Sequence, residues 1–162
     1  MAILNIVKEG DPLLRKKCRP VTEVTPRILT LLDDMKETLI EANGAGLAAP
    51  QVGILRRIAL VDLGEEIVEL INPEIVESEG EQEEVEGCLS VPDVWGITKR
   101  PAWVKVKAMN RDGEEFEVEG EGLNARCLCH EIDHLDGHLF TDNVVHILSP
   151  EEVEELMGGE GE

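Results

Sequence analysis

Gly122-Leu123-Asn124-Ala125-Arg126-Cys127-Leu128-Cys129-His130-Glu131-Ile132-Asp133-His134-Leu135-Asp136-Gly137 is the stretch that decides how the rest of the chain is read. Leu128, Ile132 and Leu135 recur at helical spacing and line one face, and Gly137 is well placed as a C-cap. His130 and His134 are four apart, so they lie one turn from each other on a different face. Two imidazoles so placed can reach one metal ion. Glu131, offset sideways, can handle a water at that ion without being a ligand. Two histidines on a polar helix face are also compatible with ordinary surface residues. A catalytic metal asks for a third protein ligand and an open fourth position, where water is activated at neutral pH.

That third ligand has to come from elsewhere. His138 is one turn further on, but Gly137 ends the helix and aims it away. Cys88, in Glu86-Gly87-Cys88-Leu89-Ser90, precedes a strand end that Pro92 terminates, and can project into a cleft. The competing reading is a buried, inert cysteine. A second cluster, Gly44-Ala45-Gly46-Leu47-Ala48-Ala49-Pro50-Gln51, has two Gly and three Ala in eight residues, which lets another backbone come close. No Lys-Ser/Thr follows, so it is not a phosphate-binding P-loop. A simple helix stop and loop is the plain alternative, while the Gln51 amide could steady an oxyanion.

Outward from these clusters, Thr25-Pro26 reads as an N-cap followed by Pro at the first helical position. Ile28, Leu31, Leu32, Met35 and Leu39 continue an amphipathic helix that Asn43-Gly44 ends. Residues 1–24 read as irregular, with a turn at Gly10-Asp11-Pro12. Residues 57–63 and 67–72 are aliphatic strands, Pro73 breaks the second, and Ile75-Val76 begins another. Residues 103–109 alternate apolar and polar, Asp112-Gly113 signals a hairpin, and 116–118 alternate again on the return. Ser149-Pro150-Glu151-Glu152 matches a capping box, and the short acidic helix it opens should stop at Gly158-Gly159. Helices and strands are segregated and the turns are tight. The expected class is α+β, with antiparallel sheets around a central helix carrying the histidines, a long N-terminal helix and a short C-terminal one.

The chain has 162 residues, enough for one domain with a real core, and no repeat or linker divides it. The expected unit is 1–162, with 149–162 as a short acidic tail. Aromatic residues are only 2% and there is no Tyr, so aliphatic side chains must fill the core. Fifteen basic residues face 35 acidic ones, a net charge of −20 that repels phosphate backbones. Arg15-Lys16-Lys17 and Arg56-Arg57 are too short to make a basic patch, so direct nucleic-acid binding is not expected. No apolar run is long enough to span a bilayer, and the N-terminus has no basic region or long apolar stretch of a signal peptide. The four cysteines form no visible disulfide framework, so a reducing cytoplasm is the simplest compartment.

Taken in order, three segments resemble the three motifs of the peptide deformylase family. They are Gly44 to Gln51, Glu86 to Ser90, and His130 to His134 followed by Leu135 and Gly137. The resemblance extends from Asp11-Pro12 to about Asn143. It implies a peptide deformylase-like fold and removal of the formyl group from the N-terminal formyl-methionine of nascent bacterial or organellar proteins, with release of formate and a bacterial-type cytoplasmic location. It implies Cys88, His130 and His134 as metal ligands and Glu131 as general base and acid toward the metal-bound water. The Gln51 side chain and the Leu89 backbone N–H would stabilise the oxyanion, and the Gly46 backbone would pair with the extended substrate. Glu86 with Arg100 would be a structural pair. Leu123 and Cys127, about two turns and one turn ahead of His130 on the same helix, are candidates for the methionine pocket.

The working ion so implied is Fe²⁺, with Zn²⁺, Ni²⁺ or Co²⁺ as substitutes, although a Cys-His-His set with an open position points to Zn²⁺ on coordination grounds. Cys129 stands where the family has Gln, and packing is its expected role. The acidic tail cannot reach the ribosome by charge attraction, unlike the basic C-terminal helix of some relatives. Two rival functions use the same helix, a zinc-type metallopeptidase and an inactive metal-binding relative. Cys88 together with Gln51 argues against the first, and retention of Glu131, Gln51 and every ligand against the second.

Overall fold

The computed structural model describes residues 3–160, with side chains outside the description at 93 and 156–160. Residues 161–162, the end of the acidic tail, lie beyond it. After a short 3-10 turn at Pro12–Arg15, α1 runs over Pro26–Ala42. Thr25 Oγ1 accepts from Ile28 N–H at 3.3 Å, and Asn43 closes the helix in the left-handed region, φ 54°. Strands β1 (Gly46–Ala48), β2 (Ile58–Asp62), β3 (Ile67–Glu79), β6 (Trp103–Met109) and β7 (Glu115–Glu121) form an antiparallel sheet ordered β1-β2-β3-β6-β7. A second antiparallel sheet, β4-β5-β8, comes from β4 (Gln82–Cys88), β5 (Val91–Arg100) and β8 (Val144–Ile147). Helix α2 covers Leu123–Leu135, and α3 covers Pro150–Glu160. The expected α+β architecture, antiparallel sheets around the histidine helix, is what forms.

Burial explains the strand patterns. In β2 and β3, alternate residues serve opposite faces of the larger sheet. Ile58, Leu60 and Ile71 pack with Leu32, Met35 and Leu39 of α1. Val61 and Leu70 pack with Ala125, Leu128 and Ile132 of α2. Both faces are covered there, so residues 58–61 read as a continuous aliphatic run rather than an alternating one. β6 is covered on one face only, and its burial alternates strictly, with Val104, Val106 and Ala108 inward. Leu32 and Met35 are wholly buried, each contributing about 1.5–3 kcal/mol against an exposed side chain.

Three expectations change. Pro73 does not end a strand. β3 continues to Glu79, with a register shift between Ile71 and Glu74 and Asn72 at φ 53°. The shift absorbs a residue that cannot donate to the ladder, as a bulge does. Asn72 then pins the N-terminal segment, its side chain accepting from Val21 N–H and donating to Val21 C=O, both at 2.8 Å. Pro92 likewise does not terminate a strand but is the second residue of β5, where a missing donor costs little. The last helix does not stop at Gly158-Gly159 but runs to Glu160. Its capping box does form. Ser149 N–H donates to Glu152 Oε1 at 3.0 Å, and Glu152 N–H to Ser149 Oγ at 3.2 Å.

Candidate active site

α2 is held at its C-terminal end. At its C-terminus Arg57 donates to Leu135 C=O at 3.0 Å and to Asp136 Oδ1 at 2.9 Å, placing a cation where the helix dipole favours one. Gly137, at φ +81°, lets the Arg15 carbonyl approach to 2.5 Å of where a Cβ would stand. His138 is thereby turned outward, as expected, with its side chain 60% exposed. His130 and His134 remain buried on the inner face, looking at the end of β4.

Cys88 is the last residue of β4. Its Sγ lies 3.4 Å from His134 Nε2, and the two Nε2 atoms are 3.2 Å apart. All three donor atoms fall within 4.8 Å of one another. Tetrahedral coordination puts two nitrogens about 3.3 Å apart, and a nitrogen and a sulfur about 3.6 Å apart. The donor set therefore fits one divalent ion. Burial and the neighbouring His130 push His134 down, keeping it in the neutral form that ligates. Burial also works against a charged His130, but Glu131, Cys88 and Glu86 together raise it well above the usual imidazole range. The surroundings of that ring favour positive charge.

Glu86 acts in a way that the sequence reading did not assign. Its Oε2 lies 2.5 Å from His130 Nδ1, and Arg100 Nη2 donates to the same oxygen at 2.7 Å. Oε1 accepts from Thr98 Oγ1 at 2.8 Å and Arg100 Nε at 3.2 Å. Burial alone would raise Glu86, but the His130 and Arg100 hydrogen bonds override it and hold the carboxyl at about 2. The expected Glu86–Arg100 pair is present, and it also fixes the imidazole of His130, a candidate ligand. Arg100 bonds Asp133 as well, on the same helix as the histidines. The only sequence sign of this was the acidic residue next to Gly87; the contact itself is tertiary.

Glu131 is buried beside the candidate ligands, and its Oε1 has no hydrogen-bond partner among the described residues. Burial raises its carboxyl to about 7, against the opposing charges of His130 and Arg100. Gly46 is the reason it fits. A Cβ there would collide with the Glu131 carboxylate. Gln51, fully buried, accepts from Ala48 N–H through Oε1 at 2.9 Å. Its Nε2 donates to Ser90 Oγ at 3.1 Å and points at Cys88 Sγ, 3.6 Å away. Leu89 follows Cys88 in the turn between β4 and β5.

A cleft of about 580 Å³ opens onto this cluster. Gly46, Gln51, Cys88, Leu89, Leu123, Cys127, His130 and Glu131 all line it, and His134 lies just behind. Leu123 sits at the rim, 60% exposed, and Cys127 deeper. Trp95, which the sequence reading passed over, lies against Gly87 and forms part of the wall with Val85 and Arg126. Cys129 is buried in the core cluster that α2 shares with the larger sheet, in line with a packing role; burial raises its thiol to about 11. β1 is an edge strand, paired only with β2, so the backbone edge at Gly46 faces the cleft.

The polypeptide deformylase family model matches residues 3–149. A peptide deformylase of Agathobacter rectalis is 58% identical over 158 residues, spanning 96% of this chain and 100% of that protein. The crystal structure of a peptide deformylase from Legionella pneumophila has a TM-score of 0.85 at 41% identity and covers 98% of both chains. A class I type b peptide deformylase from Acinetobacter baumannii, solved with Met-Ala-Ser bound, has a TM-score of 0.83 at 36% identity, over 88% of this chain and 98% of that one.

Proposed function

The chain belongs to the polypeptide deformylase family, and on that premise we propose that Cys88, His130 and His134 hold the metal while Glu131, Gln51 and Leu89 carry out the proton transfer and charge stabilisation of the reaction. The protein is a hydrolase that removes the formyl group from the N-terminal formyl-methionine of newly made proteins. The observation that carries the residue assignment is the convergence of three donor atoms beside a buried carboxylate with an unpartnered oxygen.

A divalent ion in this site supplies Lewis acidity and lowers the pKa of water toward neutrality. Glu131 takes the water proton on its free Oε1 as oxygen adds to the formyl carbon. It returns the proton to the departing amine as the C–N bond breaks, leaving formate and a free N-terminus. Charge developing on the formyl oxygen meets two donors, Gln51 Nε2 and the Leu89 N–H, each worth on the order of 3 kcal/mol. Gln51 is held for this by Ala48 and Ser90, so it loses little freedom on substrate binding. The open edge at Gly46 suits an extended peptide added as a strand. Leu123 and Cys127 offer apolar surface for the methionine side chain, in keeping with the Met-Ala-Ser ligand of the Acinetobacter relative.

Fe²⁺ is the proposed working ion, with Zn²⁺, Ni²⁺ and Co²⁺ as substitutes, because the thiolate and two imidazoles serve all four. One catalytic domain over 1–162 is inferred, with the acidic tail at 149–162 as an appendage. Action in the cytoplasm on N-formylmethionyl nascent chains is part of the same proposal, without direct nucleic-acid binding or ribosome docking through that tail. No helix among the described residues is long and apolar enough to cross a membrane.

The test is formate release from formyl-Met peptides by anaerobically purified protein, with metal analysis of the same sample. Glu131→Ala should abolish release while the metal stays bound. Metal-loaded protein that releases no formate would overturn the assignment, and cleavage at internal peptide bonds would mark a metallopeptidase instead.

A further inference from the structure

Gln51 and Leu89 belong to different sheets. Gln51 follows β1 of the five-stranded sheet, whereas Leu89 lies in the β4–β5 turn of the three-stranded one, and among the described residues no strand pairing joins the two sheets. Two donors can share one oxyanion only if their separation is fixed to a few tenths of an ångström. Gln51 Nε2 reaches across itself, to Ser90 Oγ at 3.1 Å and toward Cys88 Sγ at 3.6 Å, and the main chains on the two sides are tied by three consecutive residues near the N-terminus. Val7 N–H donates to Gln51 C=O at 2.6 Å, and Glu9 N–H donates to Ser90 C=O at 2.7 Å. Between them, Lys8 Nζ donates to Leu89 C=O at 3.2 Å. The Val7 side chain packs against Leu14, Val91, Leu139 and Phe140, in the cluster that Cys88 also touches.

Lys8 stands out within this segment. In a chain of net charge −20 its ammonium forms no ion pair among the described residues; it bonds a main-chain carbonyl at the lip of the cleft. We propose that residues 7–9 splice the two halves of the oxyanion site together, with Lys8 as a positioning residue that sets the orientation of the Leu89–Ser90 turn. This rests on the reading of Gln51 and Leu89 as the oxyanion donors. The Lys8 ammonium anchors the turn from outside, so the Leu89 N–H is already directed when the formyl oxygen acquires charge.

The test compares Lys8→Met with Lys8→Arg in the metal-loaded, full-length protein. A displacement of 1 Å in such a site can cost on the order of 100-fold, so a loosened turn should lower kcat by about 10-fold. KM for a formyl-Met peptide, metal content and melting temperature should stay as in the parent, and Lys8→Arg should restore most of kcat. An unchanged kcat in Lys8→Met overturns the proposal. So does a raised KM at constant kcat, which would make Lys8 a substrate contact, or a loss that follows metal content or melting temperature. Failure of the underlying reading would show separately, as a parental kcat in Gln51→Ala.

Discussion

His130 Nδ1 lies 2.5 Å from Glu86 Oε2, so a carboxylate from β4 fixes the ring whose other nitrogen faces the metal position. Such outer partners set the tautomer and orientation of a ligand and raise its basicity, and their loss typically costs 10–100-fold in metal affinity. Glu86→Gln should therefore weaken metal binding by about 10–100-fold, as read by competition with a chelator. An affinity equal to that of the parent would leave Glu86 with no part in the metal site.

Gly46→Ala should remove activity without removing the metal. The added methyl would occupy the space of the Glu131 carboxylate. Displacing a general base by about 1 Å costs on the order of 100-fold in rate. Steady-state formate release together with metal analysis checks this; near-parental kcat would mean that Glu131 has another place to go.

The pH profile of kcat should have an acid limb. Burial lifts Glu131 to about 7 in the metal-free chain. A general base works deprotonated, so the rate rises with pH through its pKa and then levels. A bound cation favours the carboxylate, so the midpoint should fall at or below that value. A midpoint clearly above neutrality would contradict the assignment, as would an unchanged limb in Glu131→Asp.

Acid stability should depend on Arg111, which joins β3 to α1. It bonds Glu69 at 2.5 and 2.8 Å and Asp33 at 2.8 Å. The Arg111 hydrogen bond holds Glu69 below the usual carboxylate range, although partial burial opposes it. A depressed folded pKa gives stability that is present above the ordinary carboxylate value and lost as pH falls through the folded one. Arg111→Gln should cost about 1 kcal/mol at neutral pH, a figure kept low for a partly exposed pair, and should flatten the acid limb of the stability curve. Urea midpoints at neutral and acid pH decide this, and equal losses at both would refute it.

Local signals made much of this molecule readable. Thr25-Pro26 and Asn43 bounded α1 because caps are local chemistry, and residues 103–121 announced their hairpin because one face of β6 is covered and the other is not. β4 and β5 were harder. Glu83, Glu84 and Glu86 interrupt any apolar alternation in β4, and the strand exists because it pairs with β5 over Gln82↔Arg100 to Cys88↔Val91. The continuation of β3 past Pro73 depends on Asn72 finding Val21, 51 residues away. At the site, the three motifs picked out Cys88, His130, His134, Glu131 and Gln51, which the fold brings around one cleft. Folding added what spacing does not carry, namely the Glu86–His130 contact, the Trp95 wall and the clamp of residues 7–9.

Trp95 has a use beyond forming that wall. The chain has two tryptophans and no tyrosine, so its near-ultraviolet emission comes almost entirely from Trp95 and Trp103. Trp103 lies on the β6–β7 hairpin with its indole N–H on Glu119 and is not among the residues that line the cleft, whereas Trp95 is. One of the two chromophores thus stands in the wall of the cleft that a peptide would enter. The protein carries an intrinsic optical gauge of its own occupancy, legible in a fluorimeter without a label.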